Sequence, residues 1–308
     1  AVYRGTAPFF SRRKDETTQL FVAANADQAW SYPVRSCDPG VWYMGYASVG
    51  EVVEKGADVR ALQPGDIVYC NAPHQTQVVK PESEAVKLPP GLKPEHGVFF
   101  TNLMTAHNAI LDTRIKLGDT VAISGLGVLG QLIAQLCAMS GANVIGVDPL
   151  QVRRQAALGN GAAAALSPSE HADVAAEIRR LTGNRGPDAV LEASGNVKAL
   201  HEAIRIAAPD TTITAVGWYQ GFCEALNLSE EFHHNRVAIR GTHTVGISPD
   251  IRHMWNVERK ERTCLELLSR LKLDNLITDR VPYERIADAY RAIDAHPERS
   301  IQAVLSYS

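Results

Sequence analysis

Apolar positions follow two rhythms along the chain. Up to about residue 100 they come in short β-branched runs cut by Gly and Pro. Ser48-Val49-Gly50-Glu51-Val52-Val53 and Ile67-Val68-Tyr69-Cys70 are separated by Pro64-Gly65-Asp66, and Gln77-Val78-Val79-Lys80 is closed by Pro81. Short strands divided by tight turns predict an irregular antiparallel β-barrel. From about 104 to 241 the rhythm changes. Strands are predicted at Thr120–Ser124, Asn143–Val147, 163–166, Ala189–Glu192, 212–216 and 237–239, alternating with helices at 128–140, 149–158, 170–182 and 197–207. In the first of these helices Val128, Leu132, Ile133 and Leu136 share one face, as helical spacing requires. Nearly unbroken apolar strands alternating with amphipathic helices predict an α/β fold: a doubly wound parallel sheet covered on both faces. The tail predicts helices at about 260–272 and 284–294 and a last strand at 301–305.

The first predicted strand of the parallel series runs directly into Gly125-Leu126-Gly127-Val128-Leu129-Gly130, which opens the first helix. A lone Gly-x-Gly-x-x-Gly is weak evidence, but between a strand and a helix it has a mechanism. Gly125 permits a tight turn, Gly127 removes the Cβ that would block a pyrophosphate, and Gly130 lets helix and sheet pack closely. Phosphates are then held by backbone N–H groups, including those of Val128 and Leu129, and by the positive end of the helix dipole. Asp148 ends the next strand, 21 residues after Gly127, where a carboxylate accepts hydrogen bonds from adenosine ribose hydroxyls and repels a 2′-phosphate. NAD(H) is therefore favoured. Arg153 and Arg154 follow closely enough to keep NADP(H) open.

Composition narrows the classes further. The chain has 308 residues, with 45% hydrophobic and 21% charged, as in an ordinary globular protein. A formal net charge of -3 provides no basic footprint for nucleic acid or an anionic membrane. No apolar run approaches the length of a membrane span, and no charged-then-apolar secretion signal precedes Lys14. Five scattered cysteines, at 37, 70, 137, 223 and 264, do not form a disulfide framework or a four-cysteine zinc lobe. The cytoplasm is the expected compartment.

In this order and spacing, several segments are specific together: Gly45-Tyr46-Ala47-Ser48-Val49-Gly50-Glu51-Val52, Leu62-Gln63-Pro64-Gly65-Asp66-Ile67-Val68, Thr105-Ala106-His107-Asn108-Ala109, the glycine turn, Glu192-Ala193-Ser194-Gly195, and Ile277-Thr278-Asp279-Arg280-Val281. From about residue 41 to the C-terminus the chain resembles the medium-chain dehydrogenase/reductase superfamily. The resemblance implies a GroES-like barrel domain built from 1–103 and 242–308 around a Rossmann domain at 104–241, with the active site between them. It also implies cofactor contacts at Ser194, Gly195, Val216 and Gly217 beside those of the turn, Asp148 and Arg153. By family analogy, an exposed sheet edge points to a homodimer. Zinc-using members carry Gly-His-Glu where this chain has Gly45-Tyr46-Ala47, and the later ligand position falls on Thr101. With the expected imidazole, carboxylate and thiolate ligands gone, no zinc is expected, although Cys70 and His74 have a spacing that permits a metal pair.

Without a Lewis acid, a side chain must manage charge developing on the substrate oxygen. Tyr46 stands where the zinc imidazole would project and is the first candidate for a general acid; filling the vacated space is the equal alternative. The resemblance places Thr101 and Thr105 on the active-site segment, Thr105 beside the nicotinamide; packing the helix is their other possible job. His74 lies on a loop. His107 is expected to be structural, and His233-His234 a solvated connection. The leading reading is a zinc-independent NAD(P)(H)-dependent oxidoreductase moving a hydride to or from a small carbonyl/alcohol substrate. Two alternatives are a reductase of activated C=C bonds or quinones, and a nucleotide-binding protein that has lost its chemistry.

Overall fold

The computed structural model describes residues 12–23, 43–220, 222–244 and 246–307; Trp30, Cys37 and Trp42 lie outside them. The chain separates into two compact units, one from its first 100 residues and one from residues 101–306.

In the first unit, β1 (Arg12–Lys14) and β2 (Phe21–Ala23) form an antiparallel hairpin with Lys14 opposite Phe21. A three-stranded antiparallel sheet follows, ordered β3 (Ser48–Glu51), β4 (Ile67–Cys70), β5 (Ala85–Lys87). Ser48 pairs with Cys70 and Cys70 with Ala85. The central strand buries Tyr69 and Cys70, and the Tyr69 ring meets Phe100 edge-on at 5.1 Å. A short helix, α1 (Pro94–Gly97), starts on a proline, whose fixed φ suits a first turn.

One expectation is corrected in this unit. Gln77-Val78-Val79-Lys80 is not a strand. Val79 is 98% exposed and Val78 41%, so this apolar pair has no face to bury. β-propensity expresses itself only where a cross-strand partner and a covered face exist. The partner of β4 is instead β5, three residues with little alternation to advertise them.

The second unit holds a six-stranded parallel sheet in the order β11-β10-β9-β6-β7-β8: β6 (Thr120–Ser124), β7 (Asn143–Val147), β8 (Ala164–Leu166), β9 (Ala189–Glu192), β10 (Thr212–Ala215) and β11 (Ala238–Gly241). Relabelled from one, this is the order 6-5-4-1-2-3, the doubly wound arrangement whose direction reverses between β6 and β9. Helices α3 (Val128–Met139), α4 (Gln151–Gly159), α5 (Val174–Leu181) and α6 (Val197–Ile206) connect the strands. β9 is buried along its whole length, which explains its apolar run from Ala189 to Leu191. Ile145, Ile178, Val190, Ile204 and Ile213 form one core, each such burial contributing roughly 1.5–3 kcal/mol.

Helix boundaries shift where a cap decides them. α5 begins later than predicted because Asp173 accepts the Ala176 N–H at 3.0 Å. In the tail, α8 (Val257–Leu268) begins earlier than predicted because Asn256 accepts the Arg259 N–H at 2.8 Å. Both are side-chain oxygens satisfying the orphan donors of a first turn. α9 (Ile286–Ala295) precedes β13 (Gln302–Ser306), which pairs in parallel with β12 (Ile277–Pro282). The remaining helices are α2 (Phe100–Thr113), which leads into β6, and α7 (Glu231–His234), which carries the exposed His233-His234 pair.

Candidate functional site: the carboxyl edge of the parallel sheet

Every predicted cofactor residue of the second unit lies on a loop leaving the carboxyl end of a sheet strand or in the first turn of the helix that follows. Gly125 to Gly130 follow β6, Asp148 and Arg153 follow β7, Ser194 and Gly195 follow β9, and Val216 and Gly217 follow β10. In an open parallel sheet the crevice outside these ends, at the reversal point, is where ligands bind.

The glycines of the turn differ in what they do. Gly125 adopts φ +90°, and a Cβ there would stand 2.7 Å from the backbone N of Ser194. A Cβ on Gly130 would run into the carbonyl of Gly125, so α3 can rest on the turn only without one. Around Gly127 there is open space; the nearest atom to a Cβ there is Arg153 Nη1, at 3.9 Å. Gly127 is also the N-cap of α3 and offers no side chain to its first amides. A bare N-terminus with room in front of it suits a phosphate.

Asp148 is 3% exposed. Its Oδ2 accepts the Leu126 N–H and its Oδ1 the Leu150 N–H, both at 2.8 Å. Each oxygen keeps a lone pair, so the carboxylate both fastens the glycine turn and retains capacity for a ribose hydroxyl. Arg153 Nη1 stands 3.6 Å from Asp148 Oδ2, and the buried Arg153 Nε has no acceptor. Arg154 is committed elsewhere, donating to the Asp148 and Pro149 carbonyls and to Glu170 Oε1 at 2.6 Å.

Gln131 escapes sequence reasoning, as do the bonding roles of Glu192 and Tyr219. Gln131, fully buried, donates through Nε2 to the carbonyls of Leu126 (3.0 Å) and Arg153 (2.8 Å), stapling the turn to α4. Glu192, also fully buried, accepts the Ser194 N–H at 2.8 Å and the Gly195 N–H at 3.2 Å. Its carboxylate further accepts the hydroxyls of Ser194 and Tyr219. Four donors around one buried carboxylate satisfy it and hold the β9 and β10 loops together. Burial, and then the bond to Glu192, push the Tyr219 phenol well above its ordinary value, so it stays a neutral donor. That Tyr219 caps a carboxylate 27 residues earlier is a tertiary fact.

The four catalytic candidates divide between the units. In the second, Thr105 Oγ1 donates to the Thr101 carbonyl at 3.1 Å and lies 3.0 Å from Thr244 Oγ1, on the segment leaving β11. In the first, the His74 ring lies against Gly45, the residue before Tyr46. A Cβ on Gly45, whose φ is +86°, would sit 2.6 Å from the His74 ring, and the backbone N–H of His74 donates to the Met44 carbonyl at 2.9 Å. Burial holds the His74 imidazole below its ordinary value, favouring its neutral form. Tyr46, next along, is 39% exposed. His107 is a core residue, stacked obliquely on Trp255 at 5.0 Å.

Sheet order, glycine turn and strand-end carboxylate together define a Rossmann-type dinucleotide-binding protein. Comparison with known proteins gives the family. A family model described as zinc-binding dehydrogenase matches residues 128–258. A D-guloside 3-dehydrogenase of Escherichia coli strain K12 is 31% identical over 312 residues, covering 99% of this chain and 87% of the relative. An L-threonine 3-dehydrogenase of Pyrococcus abyssi is 28% identical, covering 82% of this chain and 78% of the relative. Among solved structures, an Escherichia coli oxidoreductase/dehydrogenase of unknown specificity superposes with a TM-score of 0.76 at 21% identity, covering 88% and 84% of the two chains. The chain belongs to the medium-chain dehydrogenase/reductase superfamily and is an NAD(P)-dependent oxidoreductase, with a Rossmann sheet and a GroES-like antiparallel β region. No helix among the described residues is long and apolar enough to cross a membrane.

Proposed function

We propose that this enzyme interconverts a secondary alcohol and its ketone on a small polyhydroxylated, sugar-like substrate, with NAD(H) as favoured cofactor and without zinc. The observation that carries the cofactor preference is the buried Asp148, whose carboxylate would oppose a 2′-phosphate at the ribose position. Arg153, with an unpaired Nε beside it, keeps NADP(H) as a weaker second cofactor. The substrate class follows the full-length likeness to a D-guloside 3-dehydrogenase.

Zinc does not fit the residues at the family's ligand positions. Tyr46 and Thr101 offer a phenol and a hydroxyl where a tetrahedral site needs thiolate, imidazole or carboxylate. Burial raises the Cys70 thiol, which disfavours the thiolate a metal would need. The zinc-binding description of the family model concerns residues 128–258, a stretch containing neither position.

A bound nicotinamide dinucleotide would supply the chemistry of hydride transfer. The backbone amides of Val128 and Leu129 would hold its pyrophosphate and Asp148 its adenosine ribose, while Ser194, Gly195, Val216, Gly217 and Thr105 would hold its nicotinamide end. Tyr46 moves the proton at the substrate oxygen, donating as a carbonyl is reduced and accepting as an alcohol is oxidised. The neutral His74 imidazole, against Gly45, relays that proton to or from solvent, one ring nitrogen accepting as the other releases. A positioned acid of this kind contributes about 10²–10⁴-fold.

The test uses protein shown metal-free by elemental analysis, titrated with NADH and NADPH by fluorescence and assayed on polyols and glycosides. Tighter NADH binding, turnover without added zinc, and a Tyr46→Phe variant slowed at least about 100-fold in kcat are expected. Dependence of turnover on added zinc, or a Tyr46→Phe variant of wild-type rate, would overturn the reading.

A further inference from the structure

Helix α2 meets the segment after β11 along a row of polar side chains. Thr105 pairs with Thr244, Asn108 Nδ2 donates to the His243 carbonyl at 2.8 Å, and Asp112 accepts the Thr242 hydroxyl at 2.6 Å. Behind this segment stands Lys260 of α8, which has no exposure to solvent. Its Nζ donates to the Thr244 carbonyl at 2.5 Å. Thr244 is therefore held twice, its carbonyl by a buried ammonium and its hydroxyl by Thr105.

The bookkeeping of protons gives this arrangement a direction. A threonine hydroxyl has one proton and two lone pairs. With the Thr105 proton given to the Thr101 carbonyl, Thr244 is the donor in the pair, and Thr105 Oγ1 keeps one open lone pair and no free proton. It is then an acceptor, matched to an N–H and mismatched to a carbonyl. A lysine is costly to bury unless it holds something. An apolar residue would fill the same volume without that penalty but would leave the Thr244 carbonyl without this donor.

We propose that Lys260 and Thr244 are positioning residues for the nicotinamide end of the cofactor, fixing Thr105 as the hydrogen-bond acceptor for the carboxamide N–H. This rests on the assignment of Thr105 to the nicotinamide made above.

The experiment compares NADH with ADP-ribose, which carries the adenosine and pyrophosphate but no nicotinamide. Dissociation constants for both, by fluorescence and calorimetry, are measured for the wild type, Thr105→Val, Thr244→Val, the double variant and Lys260→Met. Each single threonine variant weakens NADH about 5- to 10-fold, the size of one lost hydrogen bond, while ADP-ribose binds as before. The double variant is no weaker than either single one, because both remove the same contact. Lys260→Met behaves alike, and Lys260→Arg recovers part of the loss; should Lys260→Met fail to fold, Thr244→Val still decides. If Thr105→Val binds NADH normally, the assignment of Thr105 falls and the proposal with it. If Thr105→Val is weakened but Thr244→Val is not, the assignment stands and the proposal is overturned. Equal weakening of NADH and ADP-ribose also overturns it, since that marks general loosening of the unit.

Discussion

His107 shows how a single buried group leaves a mark on the whole protein's behaviour. It is 7% exposed and its Nδ1 has no partner. Burial, followed by the charges of Lys260 and Arg259, lowers its pKa to about 4. The folded protein thus binds no proton there until well below the pH at which an unfolded histidine does. Stability from this group is complete above about pH 6.5, falls as pH drops through the interval where only the unfolded chain protonates, and levels off below about 4. The loss is on the order of 3 kcal/mol. Urea midpoints measured from pH 7.5 to 4 should therefore fall less steeply for His107→Phe than for the wild type; parallel curves would show that His107 titrates normally. Asp148 illustrates the same scale in a satisfied group: each of its oxygens accepts a backbone amide of its own fold, so one residue fastens the glycine turn to the loop after β7.

At the scale of elements, the turn between β6 and α3 is specified by contacts that forbid side chains. Gly130 lies against the Gly125 carbonyl, and Gly125 against Ser194 of the β9 loop. A methyl at Gly130 must lift α3 from the sheet or tilt the turn, and overpacking of this kind costs about 1–3 kcal/mol. Gly130→Ala is accordingly expected to lower the thermal midpoint and to weaken NADH by tenfold or more, both read on one sample by melting and titration. A wild-type melting curve together with unchanged NADH binding would show that helix and turn are not in register as described. Glu192 works across elements too, joining the loops after β9 and β10 through Ser194, Gly195 and Tyr219. The Glu-Ala-Ser-Gly motif was legible in the sequence; its hydroxyl partner Tyr219 was not, because only the parallel pairing of β9 with β10 brings the two loops side by side.

For the whole molecule, the open matter is where the tail belongs. The family resemblance assigns 242–308 to the barrel domain, whereas 101–306 form one compact unit. Side-chain staples fasten the tail to the central helices. Gln135 and Lys272 exchange two hydrogen bonds, at 2.8 and 3.2 Å, and Asn160 and Asn275 exchange two more, at 2.9 and 3.3 Å. Cys137 of α3 and Cys264 of α8 report on the two parts. Both are fully buried, and burial pushes both thiols up to about 12, which makes them inert while folded. Alkylation followed by mass spectrometry should label the exposed Cys223 in native protein. Cys137 and Cys264 should become reactive at the same denaturant concentration, as parts of one cooperative unit. Separate midpoints would instead make the tail a unit of its own.

The sequence by itself determined the alternation of apolar strands with amphipathic helices, the glycine turn, and Asp148 at the end of the next strand. These are local facts: side-chain period sets the element, and a missing Cβ permits a turn whatever surrounds it. It also carried the family, because those segments recur in one order. Only the tertiary structure decided that β5 and not residues 77–80 completes the first sheet, that Gln131 and Tyr219 tie together loops at the carboxyl edge of the parallel sheet, that His74 lies against Gly45, and that Lys260 is buried beneath Thr244. Each of these depends on which surface is covered and which chain segment arrives opposite. A run of residues carries no information about its partner until the chain is folded around it.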